Sequence, residues 1–145
     1  MCIRDSIGTM KKPIGRSAFN RKKMAVSVKG KMAITKWKVL EVYAPLASLI
    51  ECKLETGKTH QIRVHLSDMG HSVIGDNLYG KSLSGNKYRG SSYKEKIRSI
   101  KSFNRQALHA TKLSLSHPIT KKYIEFISPL PKDIIQLIEN FKKKY

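Results

Sequence analysis

The chain has 145 residues and carries 29 Lys and Arg side chains against 10 Asp and Glu, a formal net charge of +19. This length suits one domain with a packed core. The sequence contains no run of the roughly 20 apolar residues that span a bilayer, and two cysteines are too few for a disulfide framework. We therefore predict a cytoplasmic protein whose partner is a polyanion, first of all nucleic acid. An anionic membrane surface is a weaker alternative because no long basic amphipathic helix is present, and a basic surface that serves only solubility is another.

Alternation of apolar and polar residues predicts several β-strands. Residues 23–28 and 32–42 are expected to pair as a hairpin through a turn at Gly30. The other predicted strands are residues 49–56, 108–116 and 123–127, the last two joined by a turn at residues 117–120. One face of each strand would lie in the core and the other in water, which favours antiparallel pairing.

Two helices are predicted from their end signals. Thr59 is expected to cap a short helix over residues 60–69, which Gly70 would close in the left-handed conformation. The last helix would begin near Lys132, with Asp133 beside the positive end of its dipole, and would cover the sheet. The predicted fold class is therefore α+β, a mostly antiparallel mixed sheet with a few covering helices.

Positive charge is concentrated in two segments. Residues 6–40 hold ten Lys or Arg and no acid, and residues 81–105 hold eight against Glu95 alone. The second segment has weak periodicity and is interpreted as an insertion or long surface loop. Its candidate RNA-binding residues are Lys87, Tyr88, Arg89 and Tyr93, since lysine and arginine neutralise phosphates and tyrosine rings stack on unpaired bases. The tyrosines could equally anchor the loop, and for Phe103 anchoring is the favoured reading.

The run Thr56-Gly57-Lys58-Thr59-His60-Gln61-Ile62-Arg63-Val64-His65 carries the most information in the chain. A turn from strand to helix at this point would offer free backbone N–H groups to an anion such as phosphate. Arg63 could hold a carboxylate through two parallel hydrogen bonds, although an arginine on an amphipathic helix is ordinarily solvated or salt-bridged. The histidines His60 and His65 have no Cys or carboxylate placed to complete a metal site, so none is predicted.

The motif resembles the arginine motif of the RluA-type RNA pseudouridine synthases. The resemblance extends, in family order, over Lys12-Pro13-Ile14-Gly15-Arg16, Gly30-Lys31-Met32-Ala33-Ile34-Thr35, Gly75-Asp76-Asn77-Leu78-Tyr79-Gly80, Arg105-Gln106-Ala107-Leu108-His109-Ala110 and Pro129-Leu130-Pro131. It is most similar to the branch that modifies large-subunit ribosomal RNA. On this reading residues 1–6 are an unmatched leader, and residues 7–145 form the C-terminal part of the catalytic domain.

What the resemblance implies is a uridine isomerase that needs neither metal nor organic cofactor and no obligate protein partner. Its aspartate nucleophile belongs to a His-Arg-Leu-Asp motif that this sequence lacks, so the chain alone is expected to be inactive. Arg63 would pair with that aspartate as the catalytic residue. The pocket or framework residues implied in the same way are Lys58, Thr59, His60 and Gln61, with residues 75–80 as a supporting turn.

Two other functions are compatible with the sequence. A non-catalytic basic RNA-binding module would use the same surface without chemistry. A structural ribosome-associated protein is suggested by the charge alone, but it would not explain the ordered motifs.

Overall fold

The protein has an α+β fold with three helices and six strands in its described residues. The structure, a computed structural model, describes residue 3, residues 6–80 and residues 91–143. The elements in chain order are β1 (Ile7–Arg16), β2 (Met24–Val26), β3 (Lys31–Tyr43), β4 (Ala47–Leu54), α1 (Gln61–Asp68), α2 (Ser91–Ser102), β5 (Lys112–Ser116), β6 (Tyr123–Ile127) and α3 (Lys132–Lys142). None of the helices in these ranges has the length and apolar character that a bilayer crossing requires.

The larger sheet has four antiparallel strands in the order β2-β1-β3-β4. The predicted hairpin of residues 23–28 with residues 32–42 is wrong, because β1 lies between the two strands and pairs with both. Sequence patterning missed β1 because its buried residues, Met10 and Ile14, are separated by exposed Lys11 and Lys12. Met10 and Ile14 lie on the same face of the strand, but Lys12 between them on that face is exposed, so the sequence shows no alternation of apolar and polar residues.

Helix α1 lies against β2, β1 and β3 of this sheet. It contains the second half of the run of residues 56–65, which we call the central motif. The prediction that Gly70 adopts a left-handed conformation is confirmed, with φ of 82°. The predicted cap at Thr59 is wrong: His60 occupies the N-cap position with φ of 57° and makes no side-chain capping bond. The Gln61 side chain instead holds the loop before the helix, because its oxygen accepts the backbone N–H of Lys58 at 3.0 Å.

The core consists of two apolar clusters. The first, under α1, contains Ile14, Ala33, Val64 and Tyr79. The second joins the turn between β3 and β4 to α3 and contains Leu46, Ala47, Leu137 and Phe141. The Phe141 ring stacks on Tyr43 with centroids 5.1 Å apart. The last helix begins at Lys132, as predicted. Because Leu137 and Phe141 belong to the second cluster, this helix covers one end of the sheet.

Part of the predicted surface loop at residues 81–105 is helical, which corrects that prediction for Ser91–Ser102. Three residues of α2, Tyr93, Ile97 and Ile100, pack partly buried against the second cluster. Their spacing of four and three is helical, but serines and charged residues around them hide it from a coarse reading. Residues 81–90 lie outside the described part of the chain.

Strands β5 and β6 form the predicted hairpin, although the first begins at Lys112 rather than at residue 108. Apolar side chains on this two-stranded sheet are largely exposed, with Leu113 at 57%, Phe126 at 55% and Ile127 at 76%. A two-stranded sheet with uncovered apolar groups contributes little stability of its own, so most of the fold's stability comes from the two clusters.

Gly30 is where the turn before β3 presses on β1, and it provides a test of this packing. A Cβ at Gly30 would fall on the peptide that links Ile14 to Gly15, whereas a Cβ at Gly57 would meet nothing within 4 Å. We expect Gly30→Ala to lower the free energy of unfolding by about 1–3 kcal/mol through overpacking. Gly57→Ala should change it by less than about 1 kcal/mol. Urea denaturation of both variants measures the difference, and equal effects would contradict the described contact.

Candidate active site around Arg63

Arg63 forms a two-pronged ion pair with Asp76. Its Nε donates to Oδ2 at 2.7 Å and its Nη2 donates to Oδ1 at 2.8 Å. The Asp76 side chain is 0% exposed and that of Arg63 is 13% exposed. Asp76 Oδ1 also accepts the backbone N–H groups of Leu78 and Tyr79, each at 3.0 Å. The carboxylate is thus held by four hydrogen bonds and in turn fixes the guanidinium in one orientation.

The ion pair keeps both partners charged. Burial by itself would raise the pKa of Asp76, but hydrogen bonds from Arg63 and from the Tyr79 and Leu78 amides outweigh burial and hold that pKa below its usual value. The hydrogen bond to Asp76 raises the pKa of the Arg63 guanidinium despite its partial burial. At neutral pH the site therefore holds a fixed cation and a fixed anion.

Tyr79 connects this ion pair to the sheet. The Arg63 guanidinium lies over its ring, 4.9 Å from the centroid, a favourable cation–π geometry. The Tyr79 hydroxyl accepts the backbone N–H of Met24 at 2.8 Å and lies 2.9 Å from His60 Nδ1. Burial, followed by the charge of Arg63, lowers the pKa of His60. A neutral imidazole with Nδ1 unprotonated accepts a hydrogen bond from the Tyr79 hydroxyl and satisfies this arrangement.

Behind the site, a chain of hydrogen bonds attaches α1 to the sheet. Gln61 is 3% exposed, and its amide nitrogen donates to Ile34 O at 2.9 Å and to Thr35 Oγ1 at 3.0 Å. Its amide oxygen accepts from Thr56 Oγ1 at 2.8 Å and from the Lys58 amide. All four hydrogen-bonding positions of the Gln61 side chain are therefore in use within the fold.

His65 continues that chain on the other side of Thr35. Its Nδ1 lies 2.9 Å from Thr35 Oγ1 and its Nε2 lies 3.2 Å from Lys12 O. A carbonyl oxygen can only accept, so Nε2 carries the proton and Nδ1 accepts from the threonine hydroxyl. His65 is 1% exposed, and burial lowers its pKa. The residue is therefore a neutral core histidine and holds no ligand.

The predicted site residues differ in what the structure does with them. His60 lies next to the Arg63 site, Lys58 is half-buried and Thr59 is exposed. Gln61 belongs to the framework, since none of its hydrogen-bonding capacity is left for RNA. Tyr93 packs partly buried against the second cluster, which favours its anchoring role, and Phe103 does so as expected. Lys87, Tyr88 and Arg89 lie outside the described residues.

Sequence reasoning missed the partner of Arg63. It placed Asp76 and Tyr79 in a supporting turn and did not connect either residue with the arginine. The motif Gly-Asp-Asn-Leu-Tyr-Gly signals only the turn itself, because an aspartate three residues before a tyrosine amide can close a turn onto its own backbone. Contact between that turn and α1 depends on tertiary packing and has no local signature.

Comparison with known proteins assigns the chain to a family. The sequence pattern described as RNA pseudouridylate synthase matches residues 2–68. An uncharacterised RNA pseudouridine synthase of Bacillus subtilis (strain 168) is 43% identical over 94% of this chain and 39% of its own length. Ribosomal large subunit pseudouridine synthase D of Haemophilus influenzae is 41% identical over 95% of this chain and 41% of its own length. This chain belongs to the RNA pseudouridylate synthase family.

Solved structures agree with that assignment. Human RNA pseudouridylate synthase domain containing 1 has a TM-score of 0.63 at 28% identity and covers 97% of this chain, which spans 61% of that structure. Human RNA pseudouridylate synthase domain containing 4 has a TM-score of 0.65 at 26% identity and covers 94%, against 57% of its own length. The predicted α+β class and family are confirmed. The chain spans about two-fifths of the length of these curated relatives.

The buried ion pair predicts a large penalty for removing one partner. Arg63→Met leaves the unexposed Asp76 carboxylate with backbone donors alone, and such uncompensated burial costs about 3–5 kcal/mol. Since the wild-type pKa of Asp76 is depressed, the pair stabilises the fold above the ordinary aspartate pKa and ceases to do so as pH falls through the depressed value. Urea unfolding should therefore show a penalty at pH 7 that shrinks toward acid pH.

Asp68→Asn is the matched control for that variant. It breaks the Lys12–Asp68 ion pair, whose side chains are 46% and 31% exposed, and exposed pairs contribute at most about 1 kcal/mol. If Arg63→Met costs no more than this control, the described fork is not a stabilising feature of the fold.

His65 predicts a loss of stability on mild acidification. Its pKa in the folded chain is lowered from the ordinary 6.5, so the unfolded chain binds the proton more readily. The stabilising contribution is present above pH 6.5 and disappears as pH falls toward the lowered value. Unfolding measured across this window should show a smaller loss for His65→Gln than for the wild type. His109→Gln, whose ring lies 3.4 Å from the backbone oxygen of Ser128 on the exposed surface, should retain the wild-type loss.

Proposed function

We propose that this chain is the part of an RNA pseudouridine synthase that positions the nucleophile and binds the substrate. Uridine would be isomerised to pseudouridine in large-subunit ribosomal RNA, in the cytoplasm. Arg63 would hold an aspartate supplied by a segment outside these 145 residues. The observation that carries the proposal is the immobilised guanidinium of Arg63 on the helix of the family's arginine motif.

The hydrogen bonds of Arg63 leave one guanidinium nitrogen available to a second carboxylate. Nε and Nη2 bind Asp76, whereas Nη1 makes no hydrogen bond to the described residues. A carboxylate that approaches this edge would meet a cation that lowers its pKa and keeps it ionised, as nucleophilic catalysis requires. Asp76 is unsuited to be the nucleophile itself, because both of its oxygens are buried and engaged in four hydrogen bonds.

The proposed reaction uses this arrangement without a cofactor. The target uridine is flipped out of the RNA and attacked by the aspartate. The carboxylate bonds to the ribose carbon as the bond from that carbon to uracil N1 breaks. Uracil then rotates, and its C5 attacks the same carbon and displaces the carboxylate. The hydrogen of C5 leaves as a proton, and N1 acquires one. In this scheme Arg63 aims the aspartate throughout, and His60 and Tyr79 form the wall beside the guanidinium.

The choice of RNA follows from the relatives and the charge. The Haemophilus influenzae relative is named for the large ribosomal subunit, which supports that substrate for this chain as well. A net charge of +19 supports binding to a polyanion.

A non-catalytic RNA-binding module remains the second candidate. The pairing of Arg63 with Asp76 favours it, since the arginine already has a carboxylate partner inside the chain. Under this alternative Arg63 stabilises the fold, and its substitution would alter RNA affinity only through folding.

Arg63→Lys separates the two candidates. Joined to the upstream part of the Haemophilus influenzae relative, the chain should release tritium from RNA labelled at uridine C5. Lysine keeps the charge but loses the planar fork, so we expect turnover to fall about 100-fold or more through misplacement of the nucleophile, with RNA binding nearly unchanged. Arg98→Lys, on the exposed side of α2, is the matched control and should retain activity. A joined protein that binds RNA and releases no tritium would exclude the synthase proposal.

A further inference from the structure

A concave site lies near the loop that leads into helix α1. It is an open cleft of about 420 Å³ between the turn that precedes β3, the start of the central motif and the ends of β1 and β2. Ile14 and Met24 form an apolar wall, and Lys29, Lys31 and Lys58 contribute to the lining. None of the described residues that line it is acidic. Lys29 and Lys31 were not candidates in the sequence analysis, because they are distant in sequence from Lys58.

The lining of the cleft is chemically complementary to a single nucleotide. A volume of this size lies at the lower end of the range for small-ligand sites, about 300–1,000 Å³. Three ammonium groups can neutralise one or two phosphates, and an apolar wall can receive a ribose or the face of a base. Glycine backbone at three positions of the lining allows a ligand to approach the main chain closely.

Met24 relates the cleft to the Arg63 site. Met24 is one of the residues that line the cleft, and its backbone N–H donates to the Tyr79 hydroxyl at 2.8 Å. The ring of Tyr79 carries the Arg63 guanidinium. The cleft and the guanidinium are therefore linked through two residues, Met24 and Tyr79, so the two sites lie close together in the fold.

We propose that this cleft is a binding subsite for one nucleotide of single-stranded RNA that flanks the target uridine. Lys29, Lys31 and Lys58 bind the phosphates of that nucleotide, and Ile14 and Met24 contact its ribose or base. The inference rests on the proposed function and adds a place where the RNA next to the flipped base is held.

The test compares two triple variants of the 145-residue chain that remove the same charge. K29Q/K31Q/K58Q alters the cleft, and K38Q/K53Q/K122Q removes three exposed lysines elsewhere. Anisotropy of a labelled single-stranded RNA gives affinity over about 50–200 mM salt, and each lost phosphate contact should reduce the slope of log K against log salt by about 0.7. Because the cleft would hold one or two phosphates, we expect the cleft variant to lose about 0.7–1.4 in slope and the control variant to lose much less.

Each outcome decides a different point. Equal slopes for the two variants would overturn the cleft assignment and leave the proposed function standing, since RNA still binds. No RNA binding by the wild-type chain would overturn both. Free uridine monophosphate is the competing occupant, and if it displaces RNA at comparable concentrations the cleft is a mononucleotide site and the RNA assignment fails. Thermal unfolding followed by circular dichroism checks that each variant folds. If the triple variant does not fold, K58Q alone replaces it and should reduce the slope by about 0.7.

Discussion

The hydrogen-bond chain through Thr35 is the constraint on which the site depends. Its members run in one direction: His65 donates to β1, Thr35 donates to His65, and Gln61 donates to Thr35. Reversing any one donor would leave a buried polar group without a partner, which is costly at such low exposure. Because Gln61 also holds the backbone of Lys58, the same chain determines the position of α1 and of the loop before it. Both the arginine site and the lysine cleft follow from this attachment.

The elements that the sequence predicted were those whose patterns are local. β3 and β4 alternate clearly, and Gly70 occupies the left-handed position that a helix end favours. β1 and α2 were missed for the same physical reason: their buried residues are few and are separated by lysines and serines. The pairing order of the sheet was also out of reach, because strands adjacent in sequence need not pair, and β1 occupies the place between β2 and β3.

The site was predictable in its residue types and less so in its contacts. Arg63 was identified through a motif, and its need for a carboxylate partner follows from the chemistry of the guanidinium. That this partner includes Asp76 depends on how the turn at residues 75–80 packs on α1, and nothing local in the sequence encodes it. In the same way Lys29 and Lys31 join Lys58 only because the turn before β3 folds back beside the central motif.

The burial of Asp76 has a consequence for how tightly a reacting group can be held. A surface arginine that captures an anion must first be frozen out of many rotamers, at a cost of about 0.5–1.5 kcal/mol per side chain. Arg63 has already lost that freedom when the chain folds, since Asp76 and the Tyr79 ring hold its guanidinium from two directions. The side-chain entropy of Arg63 is thus lost when the chain folds and not when the carboxylate binds. An incoming carboxylate therefore meets a donor that needs no reorganisation.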